Sequence, residues 1–270
     1  MTSDVAYKYM VAKGIASVLV KEGVSFKFII LAAGKGTRMK SSRAKVLHEI
    51  MGRPMLAYVL DTAERLESSG IYVIVGYQSK AVQETFCDRP IKFILQHEQL
   101  GTGHAVLCAA SELSGYSGDV VILCGDVPFL RPETVRGLIQ QHIARKAALS
   151  VLTTIVDDPG HYGRVIKDGK GNILKIAEDK DATPDEKLIC EVNTGIYCAK
   201  FPVLIDALRR AGRDNVQGEY YLTDAVHLIK EMGHRVISVI TDRQDEVIMG
   251  INSMAELARA EEMMRMISDK

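Results

Sequence analysis

Five short runs of mostly apolar residues recur along the first half of the chain: Phe28–Leu31, Ile71–Val75, Ile91–Leu95, Val120–Leu123 and Leu149–Ile155. Between them lie stretches with helical spacing or helix-start signals: Met55–Leu66, Ala81–Phe86, a segment that Thr102 can cap and that runs through Glu112, and Pro132–Lys146. A strand that is apolar on nearly every residue is buried on both faces. In alternation with helices it predicts a parallel sheet covered on two sides.

The second half changes texture. Gly163–Lys167 and Ile173–Ile176 flank the turn sequence DGKGN, a hairpin signal. Glu191–Cys198 reads as a further strand, and a helix follows from Pro202. Tyr220–Met232 reads as helix, Val236–Ile240 as strand and Met254–Ile267 as a helical tail rich in Met and Glu. The simplest organisation is one mixed α/β domain whose second half adds a sub-region over the sheet. A split into two domains near Val156 is the alternative.

Composition narrows the class. The 270 residues carry 34 Lys+Arg and 34 Asp+Glu, so net charge gives no reason for a nucleic-acid or membrane partner. No apolar run approaches a membrane span, and the N-terminal apolar stretch is interrupted by Lys13 and Gly14, unlike a signal peptide. It reads as a short amphipathic helix ending near Gly23. Five scattered cysteines without a C-x-x-C read as small buried hydrophobes in a reducing compartment, so the expected location is cytoplasmic.

The first strand empties into Ala32-Ala33-Gly34-Lys35-Gly36-Thr37-Arg38, a glycine-rich loop of the kind that cradles phosphates. It is not a Walker A loop, because no Gly-Lys-Ser/Thr stands at the required distance. It is not a dinucleotide fingerprint either, because Met39 occupies the third glycine position. Lys35, Arg38 and Lys40, with Arg43 and Lys45 just beyond, suit a triphosphate or pyrophosphate; a solvated surface turn is the plainer reading. A second loop, Cys124-Gly125-Asp126-Val127-Pro128, exposes a carboxylate straight after a buried strand. Asp126 alone fits a turn cap as well as a Mg²⁺ ligand, but beside the cationic loop the metal is favoured. His97 and His104 read as a loop residue and a helix-face residue rather than as metal ligands.

L-A-A-G-x-G-T-R-M followed by Lys45-Val46-Leu47-His48 resembles the sugar-nucleotide pyrophosphorylases. The match is closest to the uridyltransferase domain of the bifunctional N-acetylglucosamine-1-phosphate uridyltransferase/glucosamine-1-phosphate acetyltransferase family. Stretches in the same order extend the resemblance over about residues 27 to 265: LQHEQLGTGHA, CGDVP, DDPGHYGRV, AEDKDAT, EVNTGIY, QGEYYLTD and GIN. The resemblance implies a Rossmann-like α/β fold, a mixed and mostly parallel sheet flanked by helices with a smaller β-rich sugar-binding sub-region. It implies a nucleotidyltransferase domain over residues 27–252, preceded by an N-terminal helical extension over 1–26 and followed by a helical tail over 253–270.

The implied activity is transfer of UMP from UTP to N-acetylglucosamine-1-phosphate. It gives UDP-N-acetylglucosamine, a cell-wall precursor, and pyrophosphate, with Mg²⁺ as cofactor. Residue by residue, the resemblance implies Arg38, Lys45 and Asp126 as catalytic. Leu31, Ala32, Ala33, Gly34, Lys35, Gly36, Gln96, Gly101, Thr102 and Gly125 would bind nucleotide, with Gln96, Gly101 and Thr102 reading the uracil. Gly163, Glu178, Asn193, Tyr221 and Thr223 would surround the sugar, and Asp126 and Asn252 would bind Mg²⁺. The chemistry agrees: the nucleophile is already an anion, so alignment and charge neutralisation matter more than a general base.

The sequence departs from the family at Cys124, where some members carry tyrosine, and it has no counterpart of the hexapeptide-repeat acetyltransferase domain. The front loop is shared with thymidylyl-, cytidylyl- and molybdenum-cofactor guanylyltransferases, so another nucleotide or sugar and a non-catalytic sugar-nucleotide sensor stay open. Residues 1–26 and the Met-rich tail leave a homodimer open beside a poorly ordered extension.

Overall fold

The structure is a computed structural model that describes residues 26–247 and 250–268; the expected N-terminal helix lies outside the described residues. At its centre is a sheet in the order β11-β7-β10-β6-β1-β4-β5. Its strands are β1 Phe26–Ala32, β4 Ile71–Val75, β5 Lys92–Leu95, β6 Asp119–Cys124, β7 Leu149–Ile155, β10 Glu191–Lys200 and β11 Val236–Ile240. A short ribbon of β2 Glu49–Ile50 and β3 Arg53–Pro54 follows the first loop, and the β8 Arg164–Lys167 and β9 Ile173–Ala177 hairpin leans on β10 through the Val192–Arg164 pairing.

The sheet is mixed rather than parallel throughout. β1 runs parallel to β4 and β6, β4 to β5, and β11 to β7, but β10 runs antiparallel to both β6 and β7. Leu149–Ile155 therefore does not extend the parallel block; β10 is inserted beside it. Both faces are covered, as the apolar runs require. Along β1, Phe28 and Ile30 face one core with Leu56, Leu60 and Leu138, while Ile29 faces the other with Val106, Leu204 and Leu208.

Several helix bounds differ from the sequence reading. The segment from Thr102 is two helices, Thr102–Leu107 and Ala109–Glu112. Gly101, not Thr102, is its cap: Gly101 has φ +108, and a Cβ there would lie 2.5 Å from the Tyr220 carbonyl. The Thr102 hydroxyl instead accepts from the Leu222 N–H at 3.1 Å. Tyr220 and Tyr221 are not helical. Tyr220 N–H bonds Leu100 O and its carbonyl accepts from Gly103 N–H, both at 2.8 Å, so helical structure starts only with the 3-10 turn Leu222–Asp224, which leads into the α-helix Ala225–Glu231. Of the cysteines, Cys198 is buried whereas Cys87 and Cys190 are exposed, because they stand in connections outside the sheet; all five are free thiols.

The chain leaves β1 for β4 on one side and returns to β6 on the other, which makes the carboxyl ends of β1 and β6 the switch point of the sheet. The glycine-rich loop and the Asp126 loop depart from those two ends. Gly125 N–H donates to Leu31 O at 2.9 Å and holds the loops side by side.

Candidate active site

The glycine-rich loop is built to place one lysine. Gly36 has φ +64, and a Cβ on it would stand 2.7 Å from Lys45 Cβ, so the bare backbone lies directly on the lysine stem. Met39, in the position of the third fingerprint glycine, is buried in a cluster with Ile50, Met55 and Ile251. It anchors the loop rather than opening it. Val46 and Leu47 are buried beside Lys45 and fix its backbone.

Lys45 Nζ is ion-paired with Asp126 and donates to Asn252 Oδ1 at 2.6 Å. Asn252 is oriented for this: its Nδ2 donates to Gly250 O at 2.6 Å, which turns Oδ1 toward the lysine. Ile251 N–H binds Asp126 O at 3.0 Å and ties the two acceptor loops together. Ser253 and Glu256 form a reciprocal capping arrangement at the start of the Met254–Ser268 helix, and Glu256 also accepts from Asn252 N–H at 2.6 Å. The Ser-x-x-Glu spacing is a legible cap signal that the sequence reading passed over. Two hard oxygen donors already converge on one cation, so Asp126 and Asn252 fit a divalent ion such as Mg²⁺ whose other ligands come from phosphate and water.

The remaining cations divide. Arg38 is exposed and stands where three cavities meet. Arg43 instead pairs with Glu49 at 2.7 Å, and Lys35 lies over the Tyr77 ring at 5.6 Å, so the loop's charge is not all aimed at one point.

A cavity of about 470 Å³ is lined by Leu31 to Arg38, Lys45, Gln96, Gly101, Thr102, Asp126 and Asn252. It gathers the nucleotide and metal candidates apart from Gly125, which is buried behind it with its Cα face against Leu31 and Val46. Gln99 and Cys124 also line it. Gln96 Nε2 is 3.1 Å from Gly101 O and 3.0 Å from His104 Nδ1. Gly101 O and the Gln96 amide nitrogen are therefore spent on each other, and the Gln96 carbonyl is what the amide has left to offer.

On the other side of Arg38 a cavity of about 620 Å³ is lined by Glu178, Gln217 and Glu219. Thr223 Oγ1 donates to Glu178 Oε1 at 2.8 Å, and Gly163 packs so closely that its Cβ would meet Ile176 at 2.9 Å and Glu178 at 3.6 Å. Burial pushes the Glu178 carboxyl above its ordinary value, with the Thr223 bond opposing. Tyr221 donates to Asp181 Oδ2 at 3.0 Å, and Asp181 Oδ1 accepts from Val216 N–H at 2.9 Å. Asp181, absent from the sequence reading, thus ties Tyr221 to the 211–219 loop. Asn193 is turned inward: its N–H bonds Gly163 O at 2.8 Å and its Oδ1 accepts from Gly195 N–H at 3.0 Å, at the bulge of β10. Of the five sugar candidates only Glu178 lines this cavity; Gly163, Asn193, Tyr221 and Thr223 stand behind the lining. Tyr162, also missed, lines the third cavity with Asn252, and burial lifts its hydroxyl to about 12.

Residues 28–181 match the MobA-like NTP transferase domain. The chain is 51% identical over 233 residues to the Bifunctional protein GlmU of Geobacter metallireducens, covering 86% of this chain and 49% of that one. It is 49% identical to that of Geobacter sulfurreducens with the same coverage. It is 44% identical to that of Desulfotalea psychrophila, with 88% of this chain and 70% of the relative aligned. The chain spans about half the length of the two Geobacter proteins. The match runs from β1 past the Asp126 loop, and so includes both loops at the sheet's switch point. On that evidence of sequence and geometry together, this chain is a nucleotidyltransferase domain and belongs to the MobA-like NTP transferase family.

Proposed function

We propose that the domain transfers UMP from UTP to N-acetylglucosamine-1-phosphate and releases pyrophosphate. The observation that carries this reading is the convergence of Lys45, Asp126 and Asn252 at the mouth of the glycine-rich loop. The extended likeness to GlmU proteins supports the choice of uridyl and N-acetylglucosamine groups.

In the reaction a phosphate oxygen of the sugar-1-phosphate forms a bond to the α-phosphorus of UTP as the bond to the β-phosphate oxygen breaks. The attacking oxygen is anionic, so no proton must be removed, and what opposes reaction is repulsion between two polyanions. The bare backbone from Gly34 to Gly36 receives the phosphates, Lys45 neutralises charge at the reacting centre, and Arg38 meets the departing pyrophosphate. Asp126 and Asn252 would hold a divalent ion, which would supply further charge neutralisation at the reacting centre. Gln96 accepts the uracil imino N–H through its carbonyl, and Glu178 accepts hydroxyl or amide hydrogens of the sugar beside Thr223.

The test is pyrophosphate release with UTP and Mg²⁺, comparing N-acetylglucosamine-1-phosphate, glucose-1-phosphate and glucosamine-1-phosphate. Preference for the N-acetylated sugar supports the reading. Preference for another sugar discards the Glu178 pocket assignment, and stabilisation of the protein by GTP or CTP rather than UTP discards the nucleotide.

A further inference from the structure

The wall of the nucleotide cavity contains an internal lock. Gln96 is 3% exposed, and one atom of its amide lies near both Gly101 O and His104 Nδ1. A backbone carbonyl can only accept, so that atom is the amide nitrogen. The nitrogen has two hydrogens. With one on Gly101 O, the contact to His104 is favourable only if Nδ1 carries a lone pair. Nδ1 then acts as the acceptor, and Oε1 is the polar atom of Gln96 left for a ligand.

His104 is itself fixed. It stands on the Thr102–Leu107 helix, which starts at the glycine that supplies the other acceptor, and its ring lies 6.3 Å from that of Tyr220. Tyr220 is held by backbone bonds to Leu100 and Gly103 on either side of that glycine. The segment Leu100–His104 thus delivers both acceptors to one amide nitrogen.

We propose that His104 is a positioning residue for nucleobase selection. By taking the second amide hydrogen it keeps the Gln96 carbonyl toward the base. The site then accepts a pyrimidine with a ring N–H donor and rejects cytosine, whose N3 lone pair would face the carbonyl oxygen. The proposal rests on the reading that the base lies against Gln96.

Two measurements test it. The first is the ratio of kcat/KM for UTP over CTP in the wild type, His104→Phe and His104→Asn, with thermal melts on each. Phenylalanine fills the ring's place without an acceptor, so the ratio falls by about tenfold or more. Asparagine restores an acceptor near Nδ1 and keeps the ratio near the wild-type value. A ratio unchanged in His104→Phe overturns the proposal, whatever happens to stability. The second is the ¹⁵N chemical shift of His104 in the wild type at neutral pH, which stands even if a variant fails to fold: an unprotonated Nδ1 is expected, and a protonated one overturns the proposal. A wild type that prefers CTP overturns both this proposal and the nucleotide assignment, and is told apart because it needs no variant.

Discussion

Lys45 Nζ lies 2.6 Å from Asn252 Oδ1 although 207 positions separate the two residues, and the same ammonium is paired with Asp126. The lysine side chain therefore holds the two oxygens proposed to take a divalent ion, and the two cations would compete for them. Lys45→Met should bind Mg²⁺ more tightly than the wild type in the absence of nucleotide, as read by calorimetric titration. Equal or weaker binding would show that Asp126 and Asn252 do not form the metal site.

Gly36 supports that lysine from below. Gly36→Ala puts a Cβ 2.7 Å from Lys45 Cβ in a backbone with φ +64. The left-handed conformation costs about 1–2 kcal/mol for a residue with a side chain. Displacing the lysine by about an ångström is worth roughly a hundredfold in rate. Turnover should thus fall far more than the modest drop in melting temperature suggests. A variant with lowered stability and unchanged kcat would separate the loop from the chemistry.

Glu178 gives a pH signature. Its folded carboxyl is raised by burial, so the folded state binds more protons than the unfolded state above the ordinary value of 4.5. Stability from this site falls as pH rises from there through the raised value. Glu178→Gln keeps an acceptor for Thr223 and removes the charge. Its melting temperature relative to wild type should therefore climb as pH rises above the ordinary carboxyl value of 4.5. A flat or falling difference would contradict the assignment.

The Tyr221–Asp181 bond ties Tyr221 to the 211–219 loop beside the cavity proposed to take the sugar. A hydrogen bond to a charged group contributes about 1.5 kcal/mol, roughly a tenfold effect on binding. Tyr221→Phe is expected to raise KM for the sugar phosphate by about that factor while kcat at saturation changes little. An equal loss in kcat would place Tyr221 in the chemical step instead.

The apolar runs made the sheet legible. Ile71–Val75, Leu149–Ile155 and Val236–Ile240 have the bounds that their side chains suggest. The insertion of β10 between β6 and β7 was not legible, because pairing direction depends on how distant segments pack. Local signals also misled where tertiary contacts overrode them. Tyr220 has helix-compatible neighbours but is held extended by Leu100 and Gly103, and Thr102 gave up capping to bind Leu222. At the candidate site, Lys45 and Asp126 each carried a local cue, a cationic loop and a post-strand carboxylate. Asn252 had no cue beyond the resemblance, since only folding brings it to Lys45. Glu256 is legible in the Ser-x-x-Glu cap that opens the last helix. Arg43 illustrates the converse: its place in the cationic run suggested phosphate, yet Glu49 six residues on takes its guanidinium.

The most direct measurement is kcat for pyrophosphate release by Lys45→Ala and Asp126→Ala, at saturating UTP, N-acetylglucosamine-1-phosphate and Mg²⁺. Each should fall by about a hundredfold or more while the protein stays folded, as loss of one transition-state stabiliser does. Near-wild-type turnover in both variants would contradict the account of this site.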